Sequence, residues 1–288
     1  MDLLFEHVSY RYPDGAGLVD VNLRIRAGVM TAILGAPGSG KSTLLQHMNA
    51  LLLPSQGEVR IGATRLHGGS GHSERSALRR RVGLVFQYPE QQLFEETVAQ
   101  DLRFGPLNFG LEEAEAAAAA ERAAQRMGLD ATLLARSPWQ LSSGERRRAA
   151  VTAVLASEPE IIVLDEPTAS LDAAGRRELM SLLGAMCRDE GKTIVIATHR
   201  IEEVAPYAAD YAVLHEGGVL YAGDGPSLLQ RTDVLEQAGV LTPTGSSIAR
   251  SLTELTGDLK PGLCPEPAQL ARALHESLQR RRTTCGNG

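Results

Sequence analysis

Apolar and polar positions along the chain follow two rhythms. Leu3 to Tyr12 is rich in apolar and aromatic residues and predicts a strand, closed by the turn chemistry of Pro13-Asp14-Gly15. Leu18 to Ile25 alternates, which predicts a second strand with Val19, Val21, Leu23 and Ile25 on one face. Val29 to Leu34 reads as a short strand running straight into a glycine-rich loop. A helix is predicted from Lys41 to about Leu52, stopped ahead of Pro54. Strands are predicted at Glu58–Ile61 and Val82–Phe86, and His67–Ser73 between them reads as a flexible surface loop.

Residues 97–157 are mostly helical in pattern. Glu112 to Met127 sets the alanines 116–120 among Glu and Arg, which predicts a solvated helix. Strand and helix then alternate: Ile161–Leu164, a helix over Ala173–Glu190, Thr193–Thr198, and a hairpin of Tyr211–Leu214 with Val219–Tyr221 around Gly217-Gly218. Such alternation predicts an α/β domain with a parallel sheet. The composition shifts near Gly225-Pro226. The reading is therefore a domain over 1–225, a helical subdomain at about 88–157, and a small helical appendage over 226–288 with a disordered tail from about Arg280.

Composition narrows the choices. The 288 residues are 43% apolar, enough for one large domain plus an appendage. A formal net charge of −6 argues against nucleic acid as a partner. No apolar run approaches the roughly 20 residues that span a bilayer, and Met1-Asp2-Leu3-Leu4-Phe5-Glu6 does not read as a signal peptide. Membrane association is therefore expected only through a partner. Cys187, Cys264 and Cys285 form no CxxC pair. His67 and His72 have nothing beside them to fix a metal geometry. Lysine is scarce: Lys41, Lys192 and Lys260 are the only three.

Lys41 falls in Gly35-Ala36-Pro37-Gly38-Ser39-Gly40-Lys41-Ser42, which fits G-x-x-x-x-G-K-[ST] after a strand and before a helix. Glycines let backbone N–H groups wrap phosphates, and the helix N-terminus adds a positive dipole end. Lys41 would reach the β- and γ-phosphates of a nucleotide, Ser42 would ligate Mg²⁺, and Thr43 would face the α-phosphate. The strand Ile161–Leu164 ends in Asp165-Glu166. Neighbours on a strand point to opposite sides, so one carboxylate can serve Mg²⁺ through water while the next orients an attacking water.

These motifs, with others in order, resemble the ATP-binding cassette (ABC) ATPases over most of residues 2–225. Leu141-Ser142-Ser143-Gly144-Glu145 stands where the family signature LSGGQ stands, Ser170-Leu171-Asp172 resembles the D-loop, His199 the switch histidine and Gln87 the Q-loop glutamine. Tyr12, 29 residues before Lys41, resembles the aromatic that stacks on adenine. The run Val82 to Val98, then Phe104-Gly105-Pro106 and Asn108-Phe109-Gly110, is similar to energy-coupling factor (ECF) transporter ATPases, and most similar to the second of their two ATPase subunits.

The resemblance implies a P-loop fold with a mixed sheet and a helical subdomain. It implies ATP and Mg²⁺ as cofactors, with the metal near Ser42, Gln87 and, through water, Asp165. Glu166 becomes the general base, His199 holds Glu166 and the γ-phosphate, and Asp172 links two sites. Two ATPase chains, identical or different, would close head-to-tail. Each ATP would lie between one P-loop and the other chain's Ser142 and Gly144. The pair would drive a membrane coupling subunit and a small substrate-binding membrane subunit, at the cytoplasmic face, importing a vitamin or a transition-metal ion.

Two departures bear on that reading. Ser143 replaces the second signature glycine and Glu145 the glutamine, so the site completed by this signature is expected to be slower. The alternatives are the ATPase of another ABC transporter class, or a soluble ABC ATPase in DNA repair or translation. The latter usually carry long coiled-coil insertions or two cassettes, and here there is one P-loop.

Overall fold

In the computed structural model the described residues are 1–15, 17–169 and 171–241, with 248, 271, 272, 275 and 276. In chain order they form β1 (Leu3–Arg11), β2 (Gly17–Ile25), β3 (Met30–Leu34), α1 (Lys41–Met48), β4 (Gln56–Ile61), β5 (Thr64–Leu66), α2 (His72–Arg81) and β6 (Val82–Val85). Next come α3 (Val98–Asn108), α4 (Glu113–Arg126), α5 (Ala131–Leu134), α6 (Ser143–Ala156), β7 (Ile161–Asp165), α7 (Ala173–Glu190), β8 (Thr193–Thr198), α8 (Ile201–Val204), β9 (Asp210–His215), β10 (Gly218–Asp224), α9 (Gly225–Gln230) and α10 (Thr232–Gln237). The architecture is mixed α/β with a helical block, α3 to α6, inserted between β6 and β7.

Two sheets share the load. An antiparallel sheet runs β2-β1-β4-β5, and a mainly parallel sheet runs β10-β9-β3-β8-β7-β6, with only β10 antiparallel. The central strands β3, β7 and β8 are buried along their whole length, as strands covered on both faces must be. One apolar cluster joins the two sheets around Leu44, Leu45 and Met48 of α1. The other joins the parallel sheet to α3, α4, α6 and α7. Leu228, Val234, Leu235 and Val240 belong to this second cluster, so the chain continues to pack on the core past Gly225. The residues expected to form the rest of the appendage, from 242 on, and its tail lie mostly outside the described residues.

Several expectations needed correction. Val19 is 62% exposed while Leu18 is buried. The β1–β2 register shifts around Val8, and Asp20 has φ 47°. That irregularity turns the first residues of β2 over, as a bulge does. α1 ends four residues early because Ala50 adopts φ 54° and the N–H groups of Leu51 and Leu52 fold back to Gln46 O. His72 and Ser73 start α2 rather than belong to a loop, and Gly71 N–H donates to Glu74 Oε2 at 2.8 Å in its first turn. α4 is not simply solvated: Ala116, Ala119, Ala120, Ala123 and Ala124 are buried along one face. Small side chains there let the helix lie close to its neighbours.

Candidate nucleotide site

The parallel strands β3, β8 and β7 end side by side, with Leu34 opposite Thr198 and Asp165 opposite Ala197. β6 adds a fourth, with Val85 opposite Leu164. The residues just past these ends form a row: loop 35–40 after β3, His199 after β8, Glu166 after β7 and Gln87 after β6. Open α/β sheets bind ligands at this edge.

The loop's shape follows from its glycines. Gly35 has φ 154°, and a Cβ there would lie 2.5 Å from both Leu214 O and Ser39 Oγ. Gly40 caps α1 at φ 101°, in the left-handed region. Lys41 is buried, and its Nζ donates to the carbonyls of Gly35 at 2.7 Å and Ala36 at 3.0 Å. Burial pushes its pKa down, against the pull of Glu166 and Asp165. On the loop's outer side, Ala36 N–H donates to Ala238 O at 3.0 Å. Tyr12 places its hydroxyl 3.4 Å from Thr43 Oγ1, and its ring meets Tyr10 edge-on at 4.9 Å. The aromatic expected to receive a base therefore stands beside the start of α1.

Asp165 is buried at the end of β7. Burial raises its carboxyl pKa; the Ser42 hydroxyl lowers it, Glu166 raises it and Lys41 lowers it. Glu166 turns the chain with φ 46°, and its N–H donates to Ala197 O at 2.9 Å. Its Oε1 accepts from His199 N–H at 3.2 Å and lies 2.7 Å from His199 Nδ1; its Oε2 accepts from Thr198 Oγ1 at 3.2 Å. A non-glycine residue held in this conformation costs of order 1–3 kcal/mol, and here the strain coincides with the aimed carboxylate. Beyond it, Glu203 accepts from Thr168 Oγ1, from Arg176 at 3.0 Å and from Arg200 at 2.8 Å. That cluster ties the chain after Glu166 to the residue after His199 and to the first turn of α7.

Ser142 caps α6. Its Oγ–H donates to Glu145 Oε2 at 2.7 Å, and its N–H donates to the same oxygen at 2.8 Å. Asp172 caps α7, accepting from Gly175 N–H at 2.7 Å. Ser142, Gly144 and Asp172 line one cavity of about 480 Å³. Among the described residues none of 35–43 lines it. The structure therefore brings Lys41, Ser42, Asp165, Glu166 and His199 together at one edge, and places Ser142, Gly144 and Asp172 in a separate pocket.

Sequence reasoning missed Arg147. Its side chain is 3% exposed, and its guanidinium donates to the carbonyls of Pro167 at 3.1 Å, Gln87 at 3.1 Å and Glu166 at 2.9 Å. A signal existed: Arg147 lies four residues before the buried Val151, on the core-facing stripe of α6. Glu90 turns inward, with Oε2 3.8 Å from Arg147 Nη1. Leu93 is buried, whereas its neighbour Phe94 is 59% exposed.

The chain matches the ABC transporter family model over residues 18–169. It is 44% identical over 257 residues to the energy-coupling factor transporter ATP-binding protein EcfA2 of Latilactobacillus sakei subsp. sakei (strain 23K), covering 88% of each chain. It is 42% identical over 281 residues to the EcfA2 of Geobacillus kaustophilus (strain HTA426), covering 96% of this chain and 97% of that one. Among solved structures, cbiO1 of Clostridium perfringens, part of the ABC transporter complex cbiONQ, superposes with a TM-score of 0.71 at 36% identity, over 86% of this chain and 98% of that one. A dimeric ATP-binding cassette, MJ0796, in a post-hydrolysis state bound to ADP and Pi, gives 0.69 at 31% identity, over 77% and 98%. On these matches the chain belongs to the ABC transporter ATP-binding family and is an ATPase.

Proposed function

We propose that the chain is the ATP-hydrolysing subunit of an ECF-type importer, acting as the second of two ATPase chains. The observation that carries the reading is the row of Gln87, Glu166, His199 and the 35–40 loop along four adjacent parallel strand ends. The relatives' names support the transporter class. The imported solute would be a vitamin or a transition-metal ion, recognised by another subunit.

On this reading Lys41 leaves the carbonyls of Gly35 and Ala36 when phosphate oxygens arrive, because a charged partner is stronger than a neutral one. Tyr12 stacks on the base. Ser42 and Asp165 would hold Mg²⁺: a hydroxyl and a buried carboxylate in mutual contact are hard oxygen donors of the kind that ion takes. When bound, the metal neutralises charge on the phosphates. Gln87, exposed at the end of the row, would face that metal and the membrane partner. Glu166 accepts the proton of the attacking water, its two oxygens already oriented by His199 and Thr198.

Separation of the Ser142–Asp172 cavity from the phosphate loop favours a head-to-tail pair, in which this chain's signature completes the partner's site. The partners are then a second ABC ATPase chain, a membrane coupling subunit and a small substrate-binding membrane subunit. Among the described residues no helix is long and apolar enough to cross a membrane, which suits attachment to the cytoplasmic face through those subunits. The test is co-expression with candidate membrane subunits, followed by co-purification and ATP hydrolysis by the complex. ATPase activity abolished by Lys41→Ala is expected. Failure of the wild-type chain to bind ATP, or to recover with any membrane subunit, would overturn the reading.

A further inference from the structure

Arg147 is a buried cation that reaches backbone carbonyls of two separate segments and one acid. Nε donates to Pro167 O, and Nη2 donates to both Glu166 O and Gln87 O. Nη1 faces Glu90 Oε2 at 3.8 Å, and that oxygen is buried with no hydrogen-bond partner among the described residues. Arg147 also sits just inside α6, whose cap is Ser142. A planar fork of five donors can span such a set; an ammonium on a flexible stem cannot.

The consequence for Glu166 is geometric. Its N–H is held by Ala197 of β8, its C=O by Arg147, and its backbone is kept at φ 46°. Losing the Arg147 bonds to the Glu166 and Pro167 carbonyls would free the backbone that holds Glu166 at φ 46°, the conformation from which its carboxylate meets His199. The same guanidinium grips the 87–90 segment. A small shift of that segment toward α6 would turn the 3.8 Å Glu90 approach into a hydrogen bond. Burial lowers the Arg147 pKa, while Glu90 and Tyr88 pull it back up.

We propose that Arg147 is a positioning residue that sets the orientation of Glu166 and makes it depend on where the Gln87–Glu90 segment lies. This rests on the reading of Glu166 as the group that receives the water's proton. Seating of a partner against the 87–94 region would then be felt at the carboxylate through one side chain, with no direct contact to nucleotide.

The experiment uses the co-purified complex and compares wild type, Arg147→Lys, Glu90→Gln, Glu166→Gln and the double variant Arg147→Lys with Glu166→Gln. ATP affinity, KM, kcat and thermal midpoint are measured for each. For Arg147→Lys, a fall in kcat of about tenfold or more is expected, with ATP affinity within about threefold of wild type. Adding it to Glu166→Gln should cause no further loss, because groups that act through one another are not additive. A merely structural arginine would give losses that multiply, with affinity and thermal midpoint falling alongside kcat. That result, or an unchanged kcat, overturns the proposal. If the Arg147 variant does not fold, Glu90→Gln decides: a kcat reduced about threefold at unchanged affinity supports the proposal, and an unaltered kcat refutes it. Full turnover by Glu166→Gln alone would instead remove the reading on which the proposal stands.

Discussion

His199 Nδ1 lies 2.7 Å from Glu166 Oε1, and the same oxygen accepts the His199 backbone N–H. With the carboxylate as acceptor, Nδ1 carries the proton that bridges the two side chains. One histidine therefore clamps the acid with two donors. Glu166→Gln keeps the shape and can still accept from His199, but an amide cannot take a proton from water. Turnover should fall about 10²–10⁴-fold, the usual worth of a general base. ATP affinity should stay near wild type, measured by nucleotide titration of the same preparation. Activity within a few-fold of wild type would move the chemistry to another group.

Asp165 gives a prediction in pH. Its folded pKa is raised above the ordinary 3.8, chiefly by burial. The native state then holds the proton more tightly than the unfolded chain does. The carboxyl's contribution to stability is present below pH 3.8 and is lost as pH rises through the folded value. Asp165→Asn removes that dependence. Without nucleotide, the variant should melt higher than wild type at neutral pH, and the gap should close on acidification toward the ordinary aspartate pKa. Thermal unfolding across that range checks the sign: a gap that widens in acid contradicts it. The same variant should lose Mg²⁺-dependent hydrolysis.

Much of this site was legible because its chemistry is local. The Gly35–Ser42 run and the Ile161–Glu166 strand each carry their context within a few residues, and both stand where they were expected. What escaped depends on contacts far apart in the chain. Arg147 binds carbonyls 60 residues upstream and 19 and 20 residues downstream, and backbone acceptors leave no mark in a side-chain pattern. Leu18 and Val19 exchanged faces because Asp20 adopts φ 47°, a conformation that alternation cannot register. α4 read as solvated because alanine signals helix without signalling burial; only packing reveals which face is covered.

Glu145 sets up the next test. It holds the Ser142 hydroxyl at 2.7 Å, and its pKa is lowered first by that bond and then by the Ser142 N–H. The hydroxyl proton is therefore committed to this chain's own carboxylate, where the partner's triphosphate is proposed to dock. Glu145→Gln keeps the capping arrangement, since glutamine serves at this position equally well, but removes the charge. ATPase activity of the assembled pair should rise, by about threefold, because an exposed charge contact is weak. Steady-state hydrolysis at saturating ATP decides. An equal or lower rate would mean that the acid does not hinder the partner's site.

Phe94 and Phe104 form the last prediction. They are 59% and 46% exposed, and their rings meet edge-to-face with centroids 4.8 Å apart. Both line a groove of about 390 Å³ that also takes in Leu51, Phe86 and Phe109. Such an apolar patch on a folded chain marks an interaction surface more often than chance exposure, and it borders the Gln87–Glu90 segment. Glu95 and Glu96 follow Phe94 directly in the chain, where they could meet basic residues of a membrane subunit. Aromatic pairs in a groove are the kind of anchor that carries binding energy, so Phe94→Ala with Phe104→Ala should release the chain from its membrane partner. ATP binding should persist, because neither ring touches the phosphate loop. Glu95→Lys with Glu96→Lys should weaken the same association in a salt-dependent way. Leu93→Ala is the contrast: Leu93 is 3% exposed and belongs to the core, so its loss should destabilise the fold by about 2–5 kcal/mol. Membrane flotation, nucleotide titration and thermal unfolding on the same three variants separate the two roles. If the double phenylalanine variant still floats with the membrane subunits, this groove is not the docking face.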